Sequence, residues 1–185
     1  MKQITTIALM LSLGVAAVYA QQDVNMTYSG TAAAGAVNLQ YPGTTTVEEN
    51  FAGNGALGPF TFRNLSAETA SPQPSSSCSG PTKLYFLRVA GGGVFRFQDG
   101  SLMYVTLTQG DDCIDLAAQS AHCTMSFQIN GGTGRFNNAS GIFRLSETTV
   151  PVVGDFFHNP VFFAAAGGFT GTVSRVAPAQ EGSQQ

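Results

Sequence analysis

Few side chains in this sequence could do chemistry, and the two histidines are the first to consider. A Ser-His-Asp or Cys-His site would need His122 or His158. Neither lies in a nucleophile elbow or beside a recognisable catalytic cysteine. His122 precedes Cys123, but neighbours in a strand point to opposite faces, so the two are not expected to form a dyad. We therefore predict no catalytic residue.

A short acidic run offers the carboxylate oxygens that calcium prefers. It comprises Asp111, Asp112 and Asp115, but it lacks the glycine spacing and the final glutamate of a calcium-binding loop. The chain also has no set of His, Cys and carboxylate side chains at the spacing of a zinc site. We interpret residues 111 to 122 as a solvated turn with room for one helical turn, and predict no metal site and no cofactor.

Three cysteines allow one disulfide and leave one free thiol. The possible pairs are Cys78 with Cys113, Cys113 with Cys123, and Cys78 with Cys123. The first pair is favoured, because S-S-S-C-S-G and G-D-D-C-I-D are typical of loops that can approach each other. Cys123 begins a strand, where a buried free thiol is expected.

The first twenty residues have the features of a secretory signal peptide. Lys2 precedes an apolar stretch from Ile7 to Val18, and Val18-Tyr19-Ala20 supplies the small residues of a cleavage site between Ala20 and Gln21. The apolar stretch is too short for a comfortable membrane span, so no transmembrane segment is expected in the mature chain. The pattern predicts a secreted protein, periplasmic or extracellular, with a domain over 21–176 and a disordered tail over 177–185.

The composition excludes partners that require clustered positive charge. Charged residues make up 10% of the chain, against about 25% in ordinary domains, and the formal net charge is −3. Loss of Lys2 with the leader leaves 7 basic and 11 acidic residues, a net charge of −4. Nucleic acid is therefore not expected as a partner.

The apolar pattern predicts short strands joined by turns. Met125, Phe127 and Ile129 alternate with polar residues before Asn130-Gly131, and Phe143 and Leu145 alternate after Gly141, which indicates a hairpin. Further expected strands are Phe60 to Asn64, Lys83 to Val89, Val94 to Gln98 and Leu102 to Thr108, with turns at Ala90 to Gly93 and at Asp99-Gly100. We expect residues 42 to 58 to form a long connection with one short strand at 44 to 48, and the stretch from 146 to 160 to break at its prolines and glycine. The result is an all-β domain, either a barrel or a sandwich.

The hairpin carries a resemblance to a known family. The run G-G-T-G-R-F-N-N-A-S-G over residues 131–141 is similar to the signature hairpin of the allene oxide cyclase and dirigent group, and to secreted bacterial proteins of unknown function that share it. This resemblance covers about residues 50 to 175 and implies a single antiparallel barrel of about eight strands, with the sandwich as the alternative. It transfers no catalytic residue. Arg135, after the last turn glycine, is expected to bond loop carbonyls or to cap the barrel rather than to bind an anion.

Two functions remain open at this point. One is a non-enzymatic barrel that binds a small apolar ligand or an envelope or extracellular partner, and the missing catalytic set favours it. The other, implied by the resemblance, is a cyclase or isomerase that acts on an apolar substrate in the barrel. A pocket lined by Phe above buried Tyr, Glu or Arg groups would support the second function.

Overall fold

A computed structural model describes residues 21–155 and 159–178. The eight strands and one short 3-10 helix run in the order β1 Gln22–Ala34, β2 Thr44–Gly55, β3 Phe60–Thr69, β4 Lys83–Phe97, β5 Leu102–Asp115, β6 Ser120–Gly132, η1 Gly134–Phe136, β7 Ser140–Gly154 and β8 Pro160–Ser174. The proposed signal peptide, its cleavage after Ala20, His158 and most of the proposed tail lie outside the described residues.

Each strand pairs antiparallel with the next, and β8 closes onto β1 to complete a barrel. The closing pair runs from Gln22 opposite Val173 to Ala33 opposite Phe162. The all-β prediction is confirmed, and the architecture is the barrel rather than the sandwich. In the described part of the chain, no helix has the length and hydrophobicity needed to cross a membrane.

Phenylalanines fill one half of the barrel interior. Inward residues alternate with outward ones along the strands, except where irregular pairs shift the phase in β4 and β5. Phe62 stacks on Phe95 with ring centroids 4.2 Å apart, and the Phe169 ring lies 5.0 Å from that of Phe95. Phe127 and Phe143 complete this packing, and all five side chains are buried. We call this half the aromatic half.

The central hairpin has the predicted position, although its turn is longer than two residues. β6 and β7 pair from Ala121 opposite Thr149 to Ile129 opposite Gly141. The connection contains η1, whose Phe136 is fully buried against Phe97, with ring centroids 4.6 Å apart. The glycine-rich turn therefore folds back over the end of the aromatic half and covers it.

The expected turn at Ala90 to Gly93 is wrong, because β4 continues through it. Gly92 pairs with Leu65 on one side and with Thr106 on the other. A side chain on Gly93 would overlap the Phe62 ring, so the glycine leaves space for the aromatic core. Here glycine serves close packing inside a strand rather than chain reversal.

In three other segments the prediction also assigned too few residues to strands. β2 covers most of the expected connection over 42–58, and β7 runs through Pro151 to Gly154. The expected turn with helical content over 111–122 is the end of β5, residues 116–119 and the start of β6. Pairing with both neighbours in a closed barrel overrides the weak strand preference of Gly, Asp and Glu.

The disulfide joins Cys78 to Cys113, the favoured pair, with Cα atoms 5.6 Å apart. Cys113 lies in strand β5 rather than in a loop. The bond fixes the β3–β4 connection to the barrel wall. Cys123 is free and buried.

Candidate functional site

Polar side chains replace the phenylalanines in the other half of the barrel interior. This half lies toward the end where β1 joins β2, β3 joins β4, β5 joins β6 and β7 joins β8, which we call the mouth. On β2, Glu49 points into the barrel like Phe51, which lies two residues away. On β7, Glu147 points into the barrel like Leu145, which also lies two residues away. The interior polar cluster consists of Tyr28, Glu49, Asn64, Ser66, Glu68, Arg88, Asp112, Cys123 and Glu147.

Arg88 lies at the centre of the cluster. Its Nε donates to Asp112 Oδ2 at 2.5 Å, and its guanidinium also donates to Ser66 Oγ at 2.6 Å. Two more carboxylates lie near it, Glu49 at 3.3 Å and Glu68 at 3.6 Å. One buried cation therefore faces three acidic groups, and its positive charge is fully compensated within the protein.

Glu49 and Glu147 are held by neutral donors. Asn64 Nδ2 donates to Glu49 Oε2 at 2.7 Å, and the Tyr28 hydroxyl donates to Glu147 Oε2 at 2.8 Å. Glu147 is 1% exposed, and its Oε1 has no hydrogen-bond partner among residues 21–155 and 159–178. This oxygen is a buried polar atom with unused hydrogen-bonding capacity, an arrangement that costs free energy.

Burial keeps part of the cluster protonated near neutral pH. Burial, and then the negative charge of Glu49, raises the pKa of Glu147 to about 8. Burial, and then the adjacent Asp112 carboxylate, raises the pKa of Glu68 to about 8. Burial also raises the pKa of Glu49.

Asp112 behaves in the opposite way. Burial, the largest single influence, opposes its ionisation, but the charge of the Arg88 guanidinium and the hydrogen bonds from Glu68, Arg88 and Cys123 together outweigh burial and lower the pKa of Asp112. The cluster therefore combines an ionised Asp112–Arg88 pair with carboxyl groups that titrate near the physiological range. Perturbed titration of this kind is typical of functional sites, although structural ion-pair networks also produce it.

A cavity of about 360 Å³ opens at the mouth beside the cluster. Thr149 lies between the cavity and the cluster, because it lines the cavity and lies two residues beyond Glu147 on the same inward-facing side of β7. Polar cavity-lining groups include Asp115, Ser120 and Thr149. Apolar ones include Ile114, Leu116, Ala121, Pro151, Val153 and Phe163. The cavity thus has mainly apolar walls and lies next to a buried acidic interior.

The opposite end of the barrel is closed by Arg135. Its Nε lies 2.9 Å from Asp99 Oδ2, and one of its terminal nitrogens donates to the Leu57 carbonyl oxygen at 2.5 Å. The guanidinium also lies over the Phe136 ring, 4.6 Å from its centroid. Arg135 therefore caps the aromatic half and bonds a loop carbonyl, as expected from the sequence.

The acidic run does not converge on a common point. Asp112 faces the interior, whereas Asp111 accepts from the Thr124 hydroxyl, and Asp115 accepts from the backbone N–H groups of Ala117 and Ala118. The solvated-turn interpretation is therefore wrong for Asp112, which is 3% exposed. In the described residues, no three His, Cys, Asp or Glu side chains are arranged to hold a metal ion.

His122 does not join the cluster. His122 is exposed and lies on the outer side of β6, opposite in phase to buried Cys123, so the two do not form a dyad. The cluster residues that matter here, including Tyr28, Glu49, Arg88 and Glu147, were not recognised from the sequence. A signal was present for some of them, since Glu49 and Glu147 continue the inward alternation of neighbouring Phe and Leu residues.

Comparison with known proteins adds little to this geometry. Neither a family profile nor a curated protein matches the chain. A solved pterocarpan synthase dirigent protein is similar to it with a TM-score of 0.33 and 11% sequence identity, over 90% of this chain and 98% of that one. A likeness at this level carries no argument about function.

Proposed function

We propose that this chain is an exported barrel that binds a small, largely apolar molecule in the mouth cavity. The observation that carries the proposal is the cavity itself, which is about 360 Å³ in volume and mainly apolar in its walls. Ligand sites in proteins occupy roughly 300 to 1,000 Å³ and combine apolar walls with a few polar groups. The leader-like residues 1–20 and the Cys78–Cys113 disulfide support export.

The test is saturable binding of a neutral apolar fluorophore. Protein comprising residues 21–185 is titrated with N-phenyl-1-naphthylamine, and fluorescence enhancement with one site per chain is the expected result. Ala121→Trp places a large side chain in the cavity wall and should abolish the enhancement. Ala52→Trp, on an exposed position of β2, is the matched control and should leave it unchanged.

Equal binding by both tryptophan variants would place the fluorophore elsewhere and would contradict the proposal. The chain contains no tryptophan of its own. The indole introduced at position 121 therefore also reports directly, and its emission should stay unchanged when the fluorophore is added, because this variant no longer binds it.

A second function, acid–base isomerisation of an apolar substrate, is favoured by the two carboxyl groups with pKa about 8. A general acid or base works best when its pKa lies near the operating pH. Glu147 is the better placed of the two, because Thr149 on the same face lines the cavity. The carboxyl group could then give a proton to, or take one from, a molecule held there.

The two functions differ in what the purified protein retains. Molecules extracted from wild-type protein and from Glu147→Gln are compared by chromatography with mass spectrometry, since isomers share a mass but differ in retention time. A binder should yield the same molecule from both proteins. An isomerase should yield product from wild type and unconverted substrate from the variant.

A further inference from the structure

We propose that the mouth cavity selects amphiphilic amines, with the ammonium group directed toward Glu147 and the apolar chain against the cavity walls. This inference rests on the proposed binding function and names its ligand class. It predicts that amines bind more tightly than alcohols of equal length, and alcohols more tightly than carboxylates.

The charges around the cavity favour a cation. In the part of the chain that the structure describes, the cavity wall contains no Lys or Arg, and its carboxylate, Asp115, lies opposite Lys83 of β4. The adjacent interior holds four carboxyl groups, Glu49, Glu68, Asp112 and Glu147, and Arg88 as their cation. A carboxylate ligand would add a further negative charge to this set.

Arg88 is not available to an anionic ligand. The guanidinium is already engaged by Asp112 and Ser66 and lies close to Glu49 and Glu68. Its side chain is 5% exposed. An anion would have to displace a carboxylate from a buried ion pair, which is costly.

Glu147 offers the acceptor that an ammonium group needs. Its Oε1 is buried without a hydrogen-bond partner in the described residues, while Oε2 accepts from Tyr28. Thr149 lies one inward position closer to the mouth on the same strand and lines the cavity. A donor entering past Thr149 would satisfy this oxygen and gain a charge-assisted hydrogen bond once Glu147 is ionised.

Binding of an amine should therefore be linked to proton release. The titratable or charged groups around Glu147 are Tyr28 on β1, Glu49 on β2, Arg88 on β4, Asp112 on β5 and Cys123 on β6. Its cross-strand neighbour on β8 is Gly167, which has no side chain to titrate. Glu68 on β3 is the remaining acid of the cluster and is held beside Asp112. Because the pKa of Glu147 is raised to about 8, an ammonium ion that pairs with the carboxylate must displace a proton near neutral pH.

The experiment displaces N-phenyl-1-naphthylamine from protein comprising residues 21–185 with octylamine, 1-octanol and octanoate. At pH 7.5 we expect octylamine to compete at a concentration about tenfold below that of octanoate, with 1-octanol between them. Between pH 6 and pH 8.5 the affinity for octylamine should rise, whereas that for 1-octanol should stay constant. Octanoate equal to or tighter than octylamine would overturn the inference.

Variants assign the preference to one carboxyl group. Glu147→Gln keeps the side-chain shape and should remove both the amine preference and its pH dependence. Glu48→Gln, whose carboxylate pairs with Arg63 outside the cluster, should retain both. An amine preference that persists in Glu147→Gln would contradict the assignment.

The outcomes separate this inference from the binding function. If the fluorophore does not bind to wild-type protein, the binding function fails and the amine preference with it. If it binds and the three eight-carbon competitors displace it equally, the binding function stands and the amine preference is wrong. Fluorophore binding by each variant also shows that it has folded.

Discussion

Arg88 determines whether the interior polar cluster is stable, since it is the cation that faces Glu49, Glu68 and Asp112. Replacement by Met removes the charge and leaves those acids buried without compensation. We expect Arg88→Met to lower the free energy of unfolding by about 3 to 5 kcal/mol, measured by urea denaturation.

Arg63→Met is the matched control for Arg88→Met. It removes an ion pair to Glu48 in which the arginine side chain is 65% exposed, so the loss should stay below about 1 kcal/mol. Similar losses in the two variants would mean that the Arg88 network contributes no more than a surface ion pair.

Glu147 should make stability depend on pH in the opposite sense to an ordinary carboxylate. Its pKa rises from 4.5 to about 8 on folding, so its stabilising effect is complete below pH 4.5 and is lost as pH rises through 8. Over this window each such carboxyl contributes a slope of up to about −1.4 kcal/mol per pH unit.

Urea midpoints measured at pH 5 and pH 8 test this slope. Wild-type protein should be more stable at pH 5, and Glu147→Gln should show a smaller difference between the two pH values. Glu68 remains in that variant and should preserve part of the slope. A wild-type midpoint that rises with pH would show that these acids are ionised in the folded protein.

At the scale of single elements, the hairpin between β6 and β7 depends on two glycines for different reasons. A side chain on Gly132 would overlap the Leu102 carbonyl oxygen of the neighbouring strand. Gly134 has φ 57° and faces the Ser101 side chain. We expect Gly132→Val and Gly134→Val each to cost about 2 kcal/mol or more in urea unfolding.

Gly100→Ala separates conformational strain from steric overlap. Gly100 has φ 80° but no neighbouring atom within 4 Å of an added Cβ, so its substitution should cost about 1 kcal/mol. Gly92 is a poor control, because a Cβ there would lie 2.6 Å from the Val105 carbonyl oxygen. If all these variants shift the midpoint equally and slightly, the turn does not hold the barrel end closed.

The sequence predicted the elements where apolar alternation is continuous and failed where it is interrupted. Met125, Phe127 and Ile129 identified β6 correctly, and each is buried. In β4 and β5 the inward phase shifts at irregular pairs, so Arg88 and Asp112 fall out of step with Phe95 and Met103. Local periodicity does not reveal such shifts, because pairing with neighbouring strands produces them.

The candidate site was harder to predict than the strands for a related reason. Its members come from β1 to β7, one or a few per strand, and no two of the charged groups form a local motif. Glu49 and Glu147 could have been assigned to the interior from their phase alone. Their contacts with Arg88, Asn64 and Tyr28 depend on closure of the barrel, which the sequence suggested only through the resemblance of one hairpin.

At the scale of the whole molecule, the Cys78–Cys113 disulfide should stabilise the barrel mainly through the unfolded chain. It links positions 35 residues apart and therefore limits the freedom of a long loop. We expect Cys78→Ser with Cys113→Ser to lower the free energy of unfolding by about 3 to 4 kcal/mol. Urea unfolding of the double variant measures this loss.

Alkylation of Cys123 in wild-type protein measures how readily the barrel opens. Cys123 is buried, and burial raises its pKa, so the thiol should react with iodoacetamide only when the barrel opens. Rapid labelling of Cys123 in folded wild-type protein would show that the mouth half opens more readily than its packing implies.

Closure of the sheet also bears on how molecules of this protein avoid associating with one another. Only 10% of its residues are charged, so mutual repulsion between molecules is weak. An open sheet with so little charge would offer unpaired N–H and C=O groups along its outer strands, which can recruit other chains into cross-β aggregates. Here β8 pairs with β1, and each of the eight strands has a neighbour on both sides. Resistance to aggregation then follows from the closed topology. A substitution that separates β1 from β8 should therefore promote fibril formation even when most of the fold is retained.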